Sequence, residues 1–324
     1  MKAVLCRTFG GPEVLVVEDV PSPPLPGGHV RIAVSAVGVN FAEVVQISGD
    51  FQIATELPLI PGFEAVGTVL DAGDVAGVRR GDRVLVLTCW GVYADEVVVP
   101  ASQIVLAPAG LDDARAAAFP VAYATAHVAL LHRAGLKPHE TVVVHAPTGN
   151  VGRAALQVAD RVGARVIAVS RRPDDVHTSA HEVLDAREGD VVERVRALTG
   201  GRGADVVLEL VGGDSARQGL ECLAWEGRLL TVGFAGGEIP DVSLLDLLIR
   251  NVAVIGEDIA GYAVRDPQVA RRALLDCVRW FEQGDLEPGP VATRPLEHAA
   301  AVLTEIGAPA HAGKIVLTTD ARHA

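Results

Sequence analysis

The stretch from Thr141 to Gly163, TVVVHAPTGNVGRAALQVADRVG, constrains the fold of this chain more than any other. Val142 to Val144 form an apolar run typical of a buried strand, and a tight turn, Pro147 to Asn150, follows it. Beyond the turn, apolar residues recur at the spacing of a helix, at Val151, Ala155, Val158 and Val162. Strand, turn and helix in this order place backbone N–H groups at a helix N-terminus, which favours a phosphate.

The turn contains Ala146, Gly149 and Gly152 in the spacing AxxGxxG, one glycine short of the usual dinucleotide fingerprint. A tight turn between a strand and a helix also needs glycine for structural reasons alone. The spacing by itself leaves both interpretations open.

Strands and helices alternate from Thr141 onward, which predicts parallel strands joined by right-handed crossovers. The predicted strands are 141–146, 165–170, 182–184, 205–211, 227–234 and 251–257, and the predicted helices between them are 151–162, 190–198 and 214–224. We therefore expect an α/β fold with a doubly wound sheet.

The residues before about Leu106 form short apolar runs separated by Gly and Pro, a pattern typical of a β-barrel or sandwich. A last predicted strand, Lys314–Leu317, needs a partner, and we expect it to return to this first domain. The predicted domains are therefore residues 1–118 with 259–324, and an inserted domain at residues 119–258.

Composition limits the class of protein. Hydrophobic residues make up 49% of the chain, no apolar run approaches the length of a membrane span, and the N-terminus lacks a secretory pattern, so we expect a cytoplasmic protein. The net charge of −13 argues against a nucleic-acid surface. The four cysteines form no CxxC pair, which predicts reduced thiols without a structural metal.

The residues after the second predicted strand indicate the cofactor. An acidic residue there would bind the adenosine ribose of NADH, whereas this chain has Ser170, Arg171 and Arg172. A hydroxyl and two guanidinium groups suit the 2′-phosphate of NADPH. The alternative is an exposed polar loop without a ligand.

Six stretches together resemble the medium-chain dehydrogenase/reductase superfamily, in its zinc-independent quinone oxidoreductase (zeta-crystallin-like) group. They are GVNFAE from Gly38, PGFEAVGTV from Pro61, GDRV from Gly81, HAPTGNVG from His145, GADVVLELVGGD from Gly203 and WEGRLLTVGFAGGEIP from Trp225. The resemblance implies a GroES-like β-rich domain, completed by the C-terminal segment, with an inserted Rossmann domain and NADPH in the cleft between them.

The same resemblance predicts that no zinc is bound. Where zinc-dependent relatives have a cysteine and a histidine, this chain has Asn40 and Phe63. An amide and a phenyl ring do not replace a thiolate and an imidazole as zinc ligands.

Candidate site residues follow from the turn and from the resemblance. Asn40 is the candidate catalytic residue, although an asparagine that caps a turn is the alternative. Candidates for the substrate slot are Ile47, Phe51, Trp90 and Tyr93, and the aromatic residues among them could equally belong to the core. The expected cofactor contacts are Asn40, Thr125, Thr148, Gly149, Asn150, Val151, Ser170, Arg171, Arg172, Val211, Gly233, Phe234, Asp258, Ile259 and Lys314, the last of which could instead be a cation at the start of a strand.

The predicted function is NADPH-dependent hydride transfer to a quinone or an α,β-unsaturated carbonyl, with the final proton supplied by water. The first alternative is an enoyl reductase acting on a thioester or a natural-product intermediate, and the second is a non-catalytic NADPH-binding protein. The apolar edge strand Asn251–Gly256 predicts a homodimer, because an exposed edge pairs readily with a second copy.

Overall fold

A computed structural model describes residues 1–308 and 313–319. Its strands are β1 (Lys2–Cys6), β2 (Leu15–Asp19), β3 (His29–Gly38), β4 (Glu64–Asp71), β5 (Arg83–Leu87), β6 (Glu96–Pro100), β7 (Ile104–Leu106), β8 (Thr141–His145), β9 (Arg165–Ser170), β10 (Glu182–Asp185), β11 (Ala204–Glu209), β12 (Leu223–Thr231), β13 (Ala253–Gly256), β14 (Val291–Pro295) and β15 (Lys314–Thr318).

Its α-helices are α1 (Phe41–Ser48), α2 (Asp113–Ala117), α3 (Pro120–His127), α4 (Asn150–Arg161), α5 (Val191–Leu198), α6 (Gly213–Cys222), α7 (Leu244–Arg250), α8 (Ile259–Arg265), α9 (Pro267–Glu282) and α10 (Ala299–Gly307). Short 3-10 helices cover Pro12–Val14, Ala101–Gln103, Pro173–Asp175 and Leu296–His298, and a π-helical segment covers Val128–Arg133.

The chain forms two compact units. The first comprises residues 1–124, 259–283 and the chain from Pro288 onward, and the second comprises residues 125–258 and 284–287. The first division lies inside α3 rather than at residue 118, because the Val121 backbone N–H donates to Glu64 Oε2 of the first unit at 2.8 Å. Residues 284–287 belong to the second unit, where the Glu287 backbone N–H donates to Gln157 Oε1 at 2.5 Å.

The second unit contains a six-stranded, wholly parallel sheet in the order β10-β9-β8-β11-β12-β13. This is the predicted doubly wound Rossmann sheet, and the predicted fold class is confirmed. All five residues of β8 are buried, which explains its continuous apolar run. The strand order reverses between β8 and β11, so the carboxyl ends of these two strands flank the position where such sheets bind ligands.

The first unit contains a seven-stranded sheet in the order β14-β15-β3-β4-β5-β7, with β6 also paired to β3, and a separate β1-β2 pair. The C-terminal strand β15 pairs antiparallel with β3, as predicted for a tail that returns to the first domain. Its apolar residues Ile315 and Leu317 lie in the core of this unit.

Within residues 1–308 and 313–319, no helix combines the length and the apolar character that a membrane crossing needs.

Candidate functional site

The turn after β8 has an alanine at the first position of the glycine pattern. Ala146, the first residue of the pattern, takes a left-handed conformation with φ of 48°, which glycine adopts more readily. Gly152 has no room for a side chain, because a Cβ there would lie 2.2 Å from the Ala146 carbonyl oxygen. Gly149 is the N-cap of α4 and offers no side chain to the first helical N–H groups. The N-terminus of α4 is therefore the arrangement that binds a phosphate.

The loop after β9 joins this turn through a side-chain contact. Arg172 Nη2 donates to Thr148 Oγ1 at 3.1 Å, and Arg172 Nε lies 3.7 Å from Asp175 Oδ2. Arg171 is exposed. Ser170 is buried, and its Oγ accepts the Arg172 backbone N–H at 2.9 Å. The Arg172 guanidinium group thus lies beside the glycine turn, and the serine hydroxyl shapes the loop that carries both arginines.

The other predicted cofactor residues of the second unit lie mostly at the carboxyl ends of strands. Asn150 and Val151 form the first turn of α4. Val211 follows the end of β11, and Gly233 and Phe234 follow the end of β12. Because parallel strands end at one edge of the sheet, these residues share the edge that the glycine turn occupies.

Three predicted cofactor residues lie elsewhere in the chain. Thr125 is only 4% exposed within α3. Asp258 is the last residue of the main segment of the second unit, and Ile259 begins α8 in the first unit. Sequence resemblance alone supports their predicted role.

A buried pair at the strand reversal was missed by sequence reasoning. His145 ends β8 and Glu209 ends β11, and the imidazole Nδ1 contacts Glu209 Oε2. The two residues are at most 2% exposed. Ser215 Oγ donates to Glu209 Oε2 at 3.0 Å, and Glu209 Oε1 accepts the backbone N–H groups of Val211 and Gly212 at 2.5 and 2.9 Å. The sequence did contain a signal for this pair, because the apolar strands β8 and β11 each end on a polar residue.

These contacts hold Glu209 in its charged form. Burial acts to raise the pKa of Glu209, but the hydrogen bond and charge of His145 and the backbone donors outweigh it, so the pKa lies below its ordinary value. The pair therefore ties together the two strands that flank the predicted cofactor position.

Asn40 in the first unit is the N-cap of α1, and its side-chain amide contacts a buried lysine. Lys314 Nζ donates to Asn40 Oδ1 at 2.6 Å and to Glu64 Oε1 at 2.5 Å. Glu43 Oε2 accepts the Asn40 backbone N–H at 2.7 Å. Asn40 Nδ2 is held more loosely, at 3.3 Å from Glu43 Oε1 and 3.5 Å from the Gly38 carbonyl oxygen. Both the capping role and a contact with substrate are compatible with this arrangement.

The side chains around Asn40 form a buried ionisable cluster. Glu43 and Glu64 are 0% exposed, and Lys314 is 6% exposed. Burial raises the pKa of the Glu43 carboxyl to about 8, although the Lys314 charge opposes this shift. Burial therefore favours the protonated form of Glu43, whereas Glu64 is the carboxyl that contacts the Lys314 side chain. The ammonium group of Lys314 thus contacts two protein oxygens, and its predicted contact with the cofactor stays a prediction.

Two of the four predicted substrate residues lie inside the first unit. Ile47 is fully buried in its hydrophobic core, because it lies on the inward face of α1. Tyr93 is also fully buried, and its hydroxyl has no hydrogen-bond partner among the described residues. Burial raises the pKa of Tyr93, and the nearby Glu43 and Glu64 charges act in the same direction. Neither Ile47 nor Tyr93 is exposed to a slot in this structure, and their contact with substrate stays a prediction.

The other two predicted substrate residues are accessible. Trp90 is 44% exposed. Phe51 packs against Phe63 with ring centroids 5.2 Å apart and lines a pocket of about 150 Å³. The remaining residues that line this pocket are Phe9, Gly49, Ile53, Ala54 and Thr55.

The side chains near Asn40 do not fit a zinc ion. Phe63 is a phenyl ring, and the Glu64 carboxylate is paired with the Lys314 ammonium group. Over residues 1–308 and 313–319, no group of three or more His, Cys, Asp or Glu side chains is arranged to hold a metal. Three such ligands are the usual minimum for a catalytic zinc.

Two family models match the chain. One, described as an alcohol dehydrogenase GroES-like domain, matches residues 26–109, and the other, described as a zinc-binding dehydrogenase, matches residues 150–275. A quinone oxidoreductase-like protein 2 homolog from Nematostella vectensis is 37% identical over 98% of this chain and 89% of its own length.

Two solved structures are similar over nearly the whole chain. Quinone oxidoreductase from Escherichia coli, complexed with NADPH, has a TM-score of 0.87 at 26% identity. The match covers 98% of this chain and 100% of the Escherichia coli chain. The CurK enoyl reductase has a TM-score of 0.88 at 25% identity, and the match covers 98% of this chain and 99% of the CurK chain. The chain therefore belongs to the medium-chain dehydrogenase/reductase superfamily and, within it, to the zinc-independent quinone oxidoreductase group.

Proposed function

We propose that this protein is an NADPH-dependent oxidoreductase that reduces a quinone or an α,β-unsaturated carbonyl compound without a metal. The observation that carries the proposal is the contact between Arg172 and Thr148 beside the open N-terminus of α4. It joins the Arg172 guanidinium group to a helix end that favours phosphate, and the exposed Arg171 precedes it in the same loop. The similar Escherichia coli structure, which is complexed with NADPH, supports the same cofactor.

The residues of the second unit fit the phosphates of the cofactor. The backbone N–H groups at the start of α4 would hold the pyrophosphate, and Gly152 keeps the turn close enough to the helix to present them. Arg171 and Arg172 would hold the 2′-phosphate, since no carboxylate directly follows β9 to repel it. NADPH, when bound, supplies a hydride.

The residues of the first unit fit an acceptor oxygen. The loosely held Nδ2 hydrogens of Asn40 can donate to an oxygen that gains negative charge during reduction. The acceptor then needs one proton, which we assign to water. The exposed Trp90 and the half-buried Phe51 supply apolar surface for the body of the substrate.

An enoyl thioester is the second candidate acceptor, because the CurK enoyl reductase is similar over the whole chain. Its reduction is the same chemical step, with a thioester carbonyl in place of a quinone oxygen. The two candidates therefore differ in substrate and share the site.

A screen of NADPH oxidation over quinones, enals and enoyl thioesters tests the proposal. We expect turnover with at least one class, with zinc below stoichiometric level by elemental analysis. Tight NADPH binding without turnover of any class would favour a non-catalytic binding protein, and stoichiometric zinc would contradict metal-free reduction.

We also propose a homodimer formed through the second unit. Strand β13 lies at the edge of its sheet, and the preceding helix α7 exposes Leu244, Leu245, Leu248 and Ile249 by 61–81%. An apolar helix beside an open strand edge is an unusual surface for a monomer. A second copy would cover both features in a symmetric contact.

A further inference from the structure

The side-chain amide of Asn40 is held unequally at its two ends. Its oxygen accepts a charge-assisted hydrogen bond from Lys314 Nζ at 2.6 Å, whereas its nitrogen has only the two long contacts of 3.3 and 3.5 Å. An ammonium group has three donors and no acceptor, so it selects the amide oxygen over the amide nitrogen. The ammonium group of Lys314 therefore selects Oδ1 as the end of the amide that it binds.

Lys314 is itself fixed by its surroundings. Lys314 is 6% exposed, and its Nζ contacts Glu64 Oε1. The second carboxylate oxygen, Glu64 Oε2, accepts the Val121 backbone N–H. Glu43 lies in α1 beside Asn40, so the residues of this cluster come from α1, β4 and β15. A lysine held on several sides within a folded unit keeps one geometry more reliably than a surface lysine does.

We infer that Lys314 is the positioning residue for Asn40: its ammonium group holds Oδ1, so that Nδ2, whose two protein contacts are long, can donate instead to a substrate group that accepts a hydrogen bond. This inference rests on the proposed function and deepens it. The substrate group at Asn40 is then a carbonyl or quinone oxygen that gains negative charge, which is the end of a conjugated acceptor that needs stabilisation.

The variant Lys314→Met with Glu64→Gln tests the inference. Both buried charges are removed together, because Lys314→Met alone would leave Glu64 buried without its partner and could prevent folding. The matched control is Lys137→Met, since Lys137 is an exposed lysine of the second unit. Circular dichroism and thermal unfolding establish that each variant is folded.

The first readout is the side-chain amide signal of Asn40. The chain has only three asparagines, Asn40, Asn150 and Asn251, so selective ¹⁵N-asparagine labelling gives three resolvable side-chain pairs. We expect the Asn40 pair to shift and to exchange faster with solvent in the double variant, and to stay unchanged in Lys137→Met. An unchanged Asn40 pair in the double variant would overturn the inference.

The second readout is turnover. We expect kcat for a conjugated acceptor to fall about a hundredfold in the double variant, because a misplaced catalytic group costs about that much, with a smaller change in KM. A shifted Asn40 signal with unchanged kcat would also overturn the positioning role. If the wild-type protein reduces no acceptor, the proposed function fails, while the amide signal still decides whether Lys314 orients Asn40.

Discussion

The Arg172 guanidinium group donates a hydrogen bond to Thr148 Oγ1 across 3.1 Å and so joins the loop after β9 to the glycine turn after β8. The two loops follow adjacent parallel strands, whose carboxyl ends lie at one edge of the sheet. This link is the basis for the proposed NADPH preference.

Replacing Arg171 and Arg172 with Ala tests that preference. We expect the Kd for NADPH to rise about 10- to 100-fold, because a hydrogen bond to a charged group contributes about 1.5–3 kcal/mol, and the Kd for NADH to change little. Fluorescence titration with each cofactor measures both. Arg161→Ala is the control, since Arg161 is an exposed arginine with an acidic partner at the far end of α4. Equal weakening of both cofactors would remove the phosphate assignment.

Gly152→Ala should disrupt the glycine turn. The added Cβ would lie 2.2 Å from the Ala146 carbonyl oxygen, so the helix or the turn must move. We expect a loss of about 1–3 kcal/mol in the free energy of unfolding, measured in urea, together with weaker NADPH binding. Gly149→Ala is the matched control in the same turn, because its Cβ would meet that oxygen at 3.4 Å. If Gly152→Ala is as stable as Gly149→Ala, the close contact between residue 152 and the Ala146 carbonyl oxygen does not require glycine.

Glu209→Gln should destabilise the second unit. It breaks a fully buried pair with His145, and removing one partner of such a pair costs about 3 kcal/mol. Because the folded-state pKa of Glu209 is lowered, its contribution is present above pH 4.5 and is lost as the pH falls through the folded value. Urea unfolding at several pH values measures both effects. Asp214→Asn, at an exposed surface pair, should change stability by less than about 1 kcal/mol. A similar loss in both variants would contradict a special role for the buried pair.

Two other buried carboxyls should make the protein less stable as the pH rises, whereas the contribution of Glu209 is lost as the pH falls. Burial raises the pKa of Glu43 and of Glu257 from 4.5 to about 8, and the Asp258 charge adds to the shift of Glu257. Their contribution to stability is therefore complete below pH 4.5 and is lost as the pH rises through about 8. We expect the double variant Glu43→Gln with Glu257→Gln to lose less unfolding free energy than the wild type as the pH rises from 4.5 to about 8. Glu182→Gln, at a half-buried residue, is the control and should show the same decline as the wild type. A decline that persists in the double variant would show that other groups cause it.

Leu248→Asp should separate the proposed homodimer. Leu248 is 76% exposed on α7, and a charge there would oppose burial against a second copy. Light scattering should report a dimer for the wild type and a monomer for this variant. Leu106→Asp, at a 55% exposed leucine of the first unit, should remain dimeric. A monomeric wild type would refute the proposal.

Much of the second unit could be predicted from its sequence, because strand and helix periodicities alternate clearly there. All six predicted strands are present in a doubly wound order, and the glycine turn lies between β8 and α4 as expected. The return of the last strand to the first domain is also confirmed by the pairing of β15 with β3.

The site in the first unit could be predicted only in part. The resemblance to the family identified Asn40, but it could not show that Ile47 and Tyr93 point into the core, because both are apolar enough for a slot or for an interior. Lys314 lies 274 positions from Asn40 in sequence, and only the folded sheet reveals their contact. The pairing of His145 with Glu209 likewise depends on two strands becoming neighbours.

The most direct test of NADPH-dependent hydride transfer uses NADPH that carries deuterium at the transferable C4 position, with an enal or enoyl thioester that the acceptor screen has identified. Mass spectrometry of the reduced product should show one deuterium from the cofactor at carbon and one hydrogen from solvent. A reduced product without cofactor deuterium, or no reduction of any conjugated acceptor while NADPH stays bound, would contradict hydride transfer by this protein.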